Sequence, residues 1–224
     1  MDLGAERLDD LYRDRFDSEA AGRNALWKVL CSDFFQKWVP KDATVLDVAA
    51  GHCEFVNNIE AGRKIAIDAS PGVKRLADAN VETHVCRSDE MSGIADGEVD
   101  VVFVSNFFEH IDRSAILATL VEIRRVLKPT GRLLVLQPNI RFCAKDYWMF
   151  FDHITPVDDR ALDEAFGLTG FETVKCIPRF LPYTTKQRLP AAPWLVKVYL
   201  RLKPAWRLLG AQSFMVAAPV PPAA

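Results

Sequence analysis

Val45-Leu46-Asp47-Val48-Ala49-Ala50-Gly51-His52-Cys53-Glu54-Phe55 decides how the chain folds. Its first half is apolar and β-branched, the texture of a strand buried on both faces in a parallel sheet. Its second half passes through small residues into a helical texture. A strand that turns tightly into a helix in this way can present backbone N–H groups to a ligand lying against the turn. Ala49 and Gly51 supply the access. The last glycine of a dinucleotide-binding G-x-G-x-x-G is missing, and Glu54 stands in its place, where its charge repels a pyrophosphate. The bland alternative is a tight turn with no ligand at all.

Working outward, strand-like runs at 44–49, 64–68, 82–86, 99–105 and 132–137 alternate with helical stretches at 53–60, 71–79 and 113–127. The last is the clearest: Ile116, Leu117, Leu120, Ile123 and Val126 fall on one side, and Arg124, Arg125 and Lys128 crowd the C-terminal end. Lys128-Pro129-Thr130-Gly131 is expected to stop it and turn into the next strand. Such alternation predicts an α/β fold with a doubly wound parallel sheet and right-handed crossovers. Before it, Leu8, Leu11, Tyr12 and Arg15 have helical spacing, and 24–38 is a second, aromatic-rich helical stretch ended by Pro40. After it come a helix at 158–168 and strands at 171–176 and 213–217. Those two strands are too far apart for a hairpin loop, and one helix is expected between them, at 194–203.

With 224 residues, 50% hydrophobic and 26% charged, the chain has room for one domain: a helical cap over 1–40, a sheet core over 41–178 and 211–219, and an insertion over 179–210. No apolar run is long enough to span a bilayer, and the first residues lack the order of a signal peptide. Cys31, Cys53, Cys86, Cys143 and Cys176 are scattered and odd in number, which favours reduced thiols in a cytoplasm. The net charge of −2 hides a division. After Glu172 there are eight Lys and Arg and no acid, so residues 173–224 carry +8 and residues 1–172 carry −10.

Two carboxylate positions extend the ligand reading. Asp68 ends the second strand, where a carboxylate can accept both hydroxyls of a ribose, although an Asp there can equally cap a helix. After the third strand, Ser88-Asp89-Glu90-Met91 offers an acceptor for an exocyclic adenine N–H beside an apolar side chain. Together, Asp-x-Ala-x-Gly at 47–51, Asp68, Asp89 or Glu90, Ser-Asn-Phe-Phe-Glu-His at 105–110 and Leu-Lys-Pro-Thr-Gly at 127–131 resemble, in order, the motifs of class I methyltransferases that use S-adenosylmethionine. The stretches 138–155 and 179–190 look like a bacterial small-molecule subgroup. Ala49 and Cys53 depart from the family, standing where glycines are usual. Alanine there is expected to be tolerated if φ stays negative.

The resemblance implies a Rossmann-like seven-stranded sheet, parallel with one antiparallel strand, carrying N-terminal helices and a helical insertion before the last strand. It implies that Asp47, Ala49 and Gly51 lie under the methionine part of S-adenosylmethionine, Asp68 and Ala69 at the ribose, Asp89, Glu90 and Met91 around adenine, and Ser105 and Asn106 near the methionine amino group and sulfonium. The activity implied is methyl transfer to a small molecule at oxygen, aided mainly by positioning and by one base. His153, flanked by Asp152, is the candidate base and His110 the second; either can equally be structural. Arg141, Asp146 and Tyr147 are candidate pocket-lining residues. A nucleoside-binding regulatory relative and a nicotinamide oxidoreductase remain as alternatives. The acidic N-terminal part argues against wrapping a nucleic acid, and no metal-ligand spacing is present. In 193–209, Trp194, Val198 and Leu202 form one stripe, and Lys197 and Arg201 sit at i, i+4. That composition suits a helix covering the sheet, peripheral docking on a membrane, or recognition of an anionic or lipid-linked acceptor.

Overall fold

Residue alternation builds the core. In β1 (Thr44–Val48), β4 (Val99–Ser105), β5 (Leu127–Pro138) and β7 (Gln212–Pro219), successive side chains enter opposite faces of one sheet. Leu46, Val48, Val102, Val104, Leu133, Val135, Met215 and Ala217 pack on one side. Val45, Val101, Phe103, Leu134, Leu136, Phe214 and Val216 pack on the other. With β2 (Arg63–Asp68), β3 (Val81–Val85) and β6 (Phe171–Ile177), the strands lie in the order β3-β2-β1-β4-β5-β7-β6. Only β7 runs antiparallel, between β5 and β6. This is the expected seven-stranded, doubly wound sheet. The computed structural model describes residues 20–183 and 192–221; the expected helix near 8–15, the 184–191 part of the insertion and the 222–224 tail lie outside them.

Helices cover both faces. On one lie α4 (Arg113–Val126) and α6 (Asp159–Leu168), which contribute Ile116, Leu120, Ile123, Leu162 and Phe166. Each begins at a capping aspartate. Asp112 Oδ1 accepts the Ala115 N–H at 2.9 Å, and Asp158 accepts from Arg160 and Ala161. The other face is aromatic. There α1 (Ala20–Asp33) and a 3-10 turn at Phe35–Trp38 bring Trp27, Phe34 and Phe35 against Phe103, Phe180 and Phe214. Phe55, from the short α2 (Glu54–Asn58), stacks on Phe103 with centroids 3.8 Å apart. The short α3 (Val73–Leu76) sits between β2 and β3.

Three local expectations change. Residues 128–131 do not form a turn after the helix: β5 starts at Leu127, pairs with Val99, and resumes as Arg132 opposite Val101, so the intervening residues form a bulge. Gly131 is required there, because a Cβ would meet Leu127 Cδ2 at 2.8 Å and Asp100 O at 3.0 Å. A helix not anticipated, α5 (Ile140–Tyr147), follows β5 and is kinked at Cys143 (φ −127°, ψ 23°). The insertion holds two helices, α7 (Pro193–Arg201) and α8 (Lys203–Leu209), where one was expected. Pro204 falls in the first turn of α8, a position that needs no backbone donor. Among the described residues no helix is long and apolar enough to cross a membrane.

Candidate cofactor and acceptor site

The parallel strands place the loops after β1, β2, β3 and β4 along one edge of the sheet, the crevice where open α/β sheets bind ligands. After β1 the chain turns through three left-handed residues, Ala49 (φ 55°), Gly51 (φ 51°) and Cys53 (φ 59°). The condition set for alanine at position 49, a negative φ, is therefore not met. The turn needs a left-handed residue, and alanine and cysteine occupy such positions at a steric cost of about 1–2 kcal/mol each. Around Gly51 the space is open, with nothing within 4 Å of a Cβ placed there.

Carboxylates hold this turn. Asp47 is buried, and its Oδ2 accepts the Val56 N–H of α2 at 3.3 Å. Burial pushes its carboxyl well above the ordinary range, and the neighbouring Asp68 and Glu54 add to the effect. Asp68 Oδ2 accepts the Gly51 N–H at 2.8 Å, and its Oδ1 accepts the Ser70 N–H at 2.8 Å. Asp68 therefore joins the ends of β1 and β2, with Ala69 exposed beside it. Arg23 of α1 donates to Glu54 Oε1 at 2.5 Å.

After β3, Asp89 is gripped by Arg87 through Nε and Nη2 at 2.8 and 2.7 Å, and that guanidinium holds its carboxyl below the usual range. Glu90 is exposed. Met91 lies within the core on the α4 side. Its N–H donates to Glu122 Oε2 and its carbonyl accepts from Arg125 Nη2, both at 3.0 Å. Its side chain thus backs the wall from inside instead of lying open to a ring. After β4, Ser105 is half-buried, and Asn106 is exposed in a left-handed conformation (φ 47°), its N–H bonded to Leu136 O at 2.9 Å.

One strand further along, a polar cluster forms at the ends of β4 and β5. Glu109 is 1% exposed and its Oε2 accepts the amide of Gln137 at 2.6 Å. Its backbone carbonyl accepts the N–H groups of Ile154 and Thr155, fixing the loop after α5 against the 3-10 turn Phe108–His110. His110 Nδ1 lies 3.2 Å from the Asp152 carbonyl and 3.3 Å from its carboxylate Oδ2. Asp152, which flanks His153 in the sequence, is through these contacts a partner of His110. Burial lowers the His110 pKa, but Asp152 and Glu109 outweigh it and the net shift is upward. Burial raises the Glu109 carboxyl. His153, 7% exposed, sets its ring edge-on to His110 with centroids 4.9 Å apart.

Two of the candidate lining residues serve the frame. Tyr147 is fully buried and donates to Thr155 O at 2.6 Å while accepting from Val157 N–H. Arg141 is paired with Asp159, which also holds Asn139. Glu109 and Gln137 were not anticipated as site residues. Glu109 lay inside the quoted Ser-Asn-Phe-Phe-Glu-His run, and a carboxylate after a wholly apolar strand was the available signal. Gln137, a polar residue ending an otherwise apolar strand, was a second one.

The donor set around the turn fits S-adenosylmethionine. Asp47, Glu54 and Asp68 suit a cationic sulfonium and ammonium, and they oppose a pyrophosphate. The sheet order is that of the Rossmann-like methyltransferase fold. Residues 46–135 match the family described as "Methyltransferase domain". That segment runs from β1 into β5 and so includes the turn after β1, Asp68 and the ends of β3 and β4. No curated protein matches its sequence. Among solved structures it is similar to an S-adenosylmethionine-dependent methyltransferase from Archaeoglobus fulgidus, at 18% identity and TM-score 0.66, covering 91% of this chain and 98% of that one. It is similar to a chain of the complex between the Haloferax volcanii Trm112 methyltransferase activator and a methyltransferase, at 17% identity and TM-score 0.68, covering 95% and 97%. It also resembles geranyl diphosphate C-methyltransferase from Streptomyces coelicolor, a complex with Mg2+, geranyl diphosphate and S-adenosyl-L-homocysteine, at 14% identity and TM-score 0.56, covering 86% and 79%.

Proposed function

We propose that this chain is an S-adenosylmethionine-dependent methyltransferase that acts as one domain on an oxygen atom of a small-molecule acceptor, whose proton is taken up at the cluster of Glu109, His110, Asp152 and His153. When bound, S-adenosylmethionine supplies a methyl group already activated toward in-line displacement. Asp47 and the Ala49–Gly51 turn line the methionine side. Asp68, beside Ala69, holds the ribose hydroxyls. Asp89 and Glu90 border the adenine, with Met91 supporting that wall from within. Ser105 and Asn106 lie between the methionine end and the acceptor cluster. The observation that carries the reading is the position of the buried cluster: it follows β4 directly, and β4 is hydrogen-bonded to β1, whose end carries the acidic turn. A proton acceptor so placed contributes roughly 10²–10⁴-fold to a hydroxyl's reaction.

Incubation with methyl-labelled cofactor and a panel of hydroxylated small molecules should label an acceptor. His153→Ala should lower turnover within that 10²–10⁴ range with cofactor affinity unchanged. Full turnover in the variant removes His153 from the reaction. A second reading, cofactor binding without transfer, draws on the left-handed alanine and cysteine in the turn. Stoichiometric calorimetric binding of the cofactor with no label in any acceptor would favour it.

A further inference from the structure

The buried cluster holds a donor set more particular than proton uptake needs. Glu109 and His110 come from the 3-10 turn after β4 and His153 from the loop after α5, and one ligand atom of each lies within 4.8 Å of the other two. We infer that Glu109, His110 and His153 form a binding site for one first-row divalent cation of the Zn2+, Mn2+, Fe2+ and Co2+ class. Two imidazoles and one carboxylate favour those ions over Mg2+ or Ca2+, which prefer all-oxygen shells. Three protein ligands leave coordination positions open, as sites that also bind a substrate do.

Each ligand is already aimed. Gln137 occupies Glu109 Oε2 at 2.6 Å, leaving Oε1 toward His110 Nε2, 3.8 Å away. Asp152 engages His110 on Nδ1, at 3.2 Å through its carbonyl and 3.3 Å through its carboxylate. That contact places the ring proton on Nδ1 and turns the Nε2 lone pair toward Glu109. A carboxylate behind a histidine is the usual outer support of a metal-bound imidazole. His153 is held by rings: Tyr147 and Phe150 each lie with centroids 5.0 Å from it, and His110 lies at 4.9 Å. A cation here also compensates a carboxylate that is 1% exposed, an otherwise costly burial. His110 keeps 20% of its side-chain surface, so the cluster can be reached from solvent.

With an ion bound, His110 and His153 would be engaged as ligands and no longer take up the acceptor's proton; the ion's Lewis acidity would instead ease its loss to solvent water. That role rests on the proposed methylation at oxygen; the ion site itself does not.

The test uses the full chain, stripped with chelator and titrated with Co2+ and then Zn2+. One ion per chain should bind, with Co2+ giving visible d–d absorption of a low-symmetry site. His110→Ala and His153→Ala should each abolish the absorption and weaken Zn2+ by more than tenfold. Asp152→Asn should weaken it about 10–100-fold. No stoichiometric binding by the unmodified chain overturns the site, and this needs no variant to fold. Binding that survives the two histidine substitutions overturns it as well. A bound ion without methyl transfer to any acceptor would leave the site standing and remove the proposed reaction. Transfer unaffected by chelation, with no ion retained, would do the reverse.

Discussion

Ala49 and Cys53 sit in left-handed backbone at φ 55° and 59°, conformations that glycine adopts without penalty. The residue types were plain in the sequence, yet φ was not, because the turn is set by Asp68 reaching from β2 to the Gly51 N–H. Strain of this kind concentrates beside ligand sites, where the surrounding structure over-determines the backbone. Ala49 can therefore be relieved locally. Its left-handed cost is about 1–2 kcal/mol, and glycine returns about 0.4–1 kcal/mol of that through a freer unfolded chain. Ala49→Gly should raise stability by about 0.5–1 kcal/mol, read as a higher urea midpoint at constant slope. An unchanged or lower midpoint would mean that the turn is not strained at this position. Cys53 is a different case: it is fully buried and its thiol is pushed up to about 12, so it is a packing residue and not a reactive one.

At the scale of elements, legibility followed periodicity. The strand pattern was readable because apolar residues fill both faces of β1, β4 and β5. The α5 helix was not: it is short, kinked at Cys143, and its last residues run into the aromatic stretch Tyr147–Phe151 that reads like a loop. In the insertion Pro204 looked like an end and is a beginning. The helices there have two distinct surfaces. Leu200 and Trp206 pack inward in the same aromatic cluster as Phe34 and Phe180, with the Trp206 ring at 5.1 Å from Phe180 and its Nε1–H donating to Tyr199 O. Outward, Trp194, Leu195, Val198, Leu202, Leu208 and Leu209 are exposed among Lys197, Arg201, Lys203 and Arg207. The expectation of a helix covering the sheet holds for the inner surface. The outer one has the make-up of an interfacial surface for anionic lipid. Vesicles containing phosphatidylserine should therefore pellet the protein at low salt and release it at high salt. Lys197→Glu with Arg201→Glu should reduce the pelleted fraction. Equal pelleting with neutral vesicles, or none with either, would rule out electrostatic docking.

For the whole molecule, the uneven charge and the sheet order have one consequence for what can bind. Parallel β1, β2 and β4 bring the acidic turn and the buried cluster to the same edge, while the net positive charge lies beyond Glu172. At the turn after β1, Asp68 and Glu54 lie near Asp47, and their repulsion adds to the burial that presses the Asp47 carboxyl upward. A ligand bearing an ammonium, joined in S-adenosylmethionine by a sulfonium, relieves that repulsion, and a dinucleotide's pyrophosphate increases it. Global stability is the readout, because a ligand that binds only the folded chain adds RT ln(1 + [L]/Kd). At a hundred times its Kd, S-adenosylhomocysteine should add about 2.7 kcal/mol, which for a chain of this size is about 5–10 °C in Tm. NAD and NADP at the same concentration should leave Tm unchanged. Asp68→Ala, which removes the proposed ribose acceptor together with the partner of the Gly51 and Ser70 N–H groups, should lower Tm slightly and reduce the homocysteine-nucleoside shift sharply. A full shift in that variant would remove Asp68 from the ribose position, and a dinucleotide shift as large as the nucleoside's would return the oxidoreductase reading.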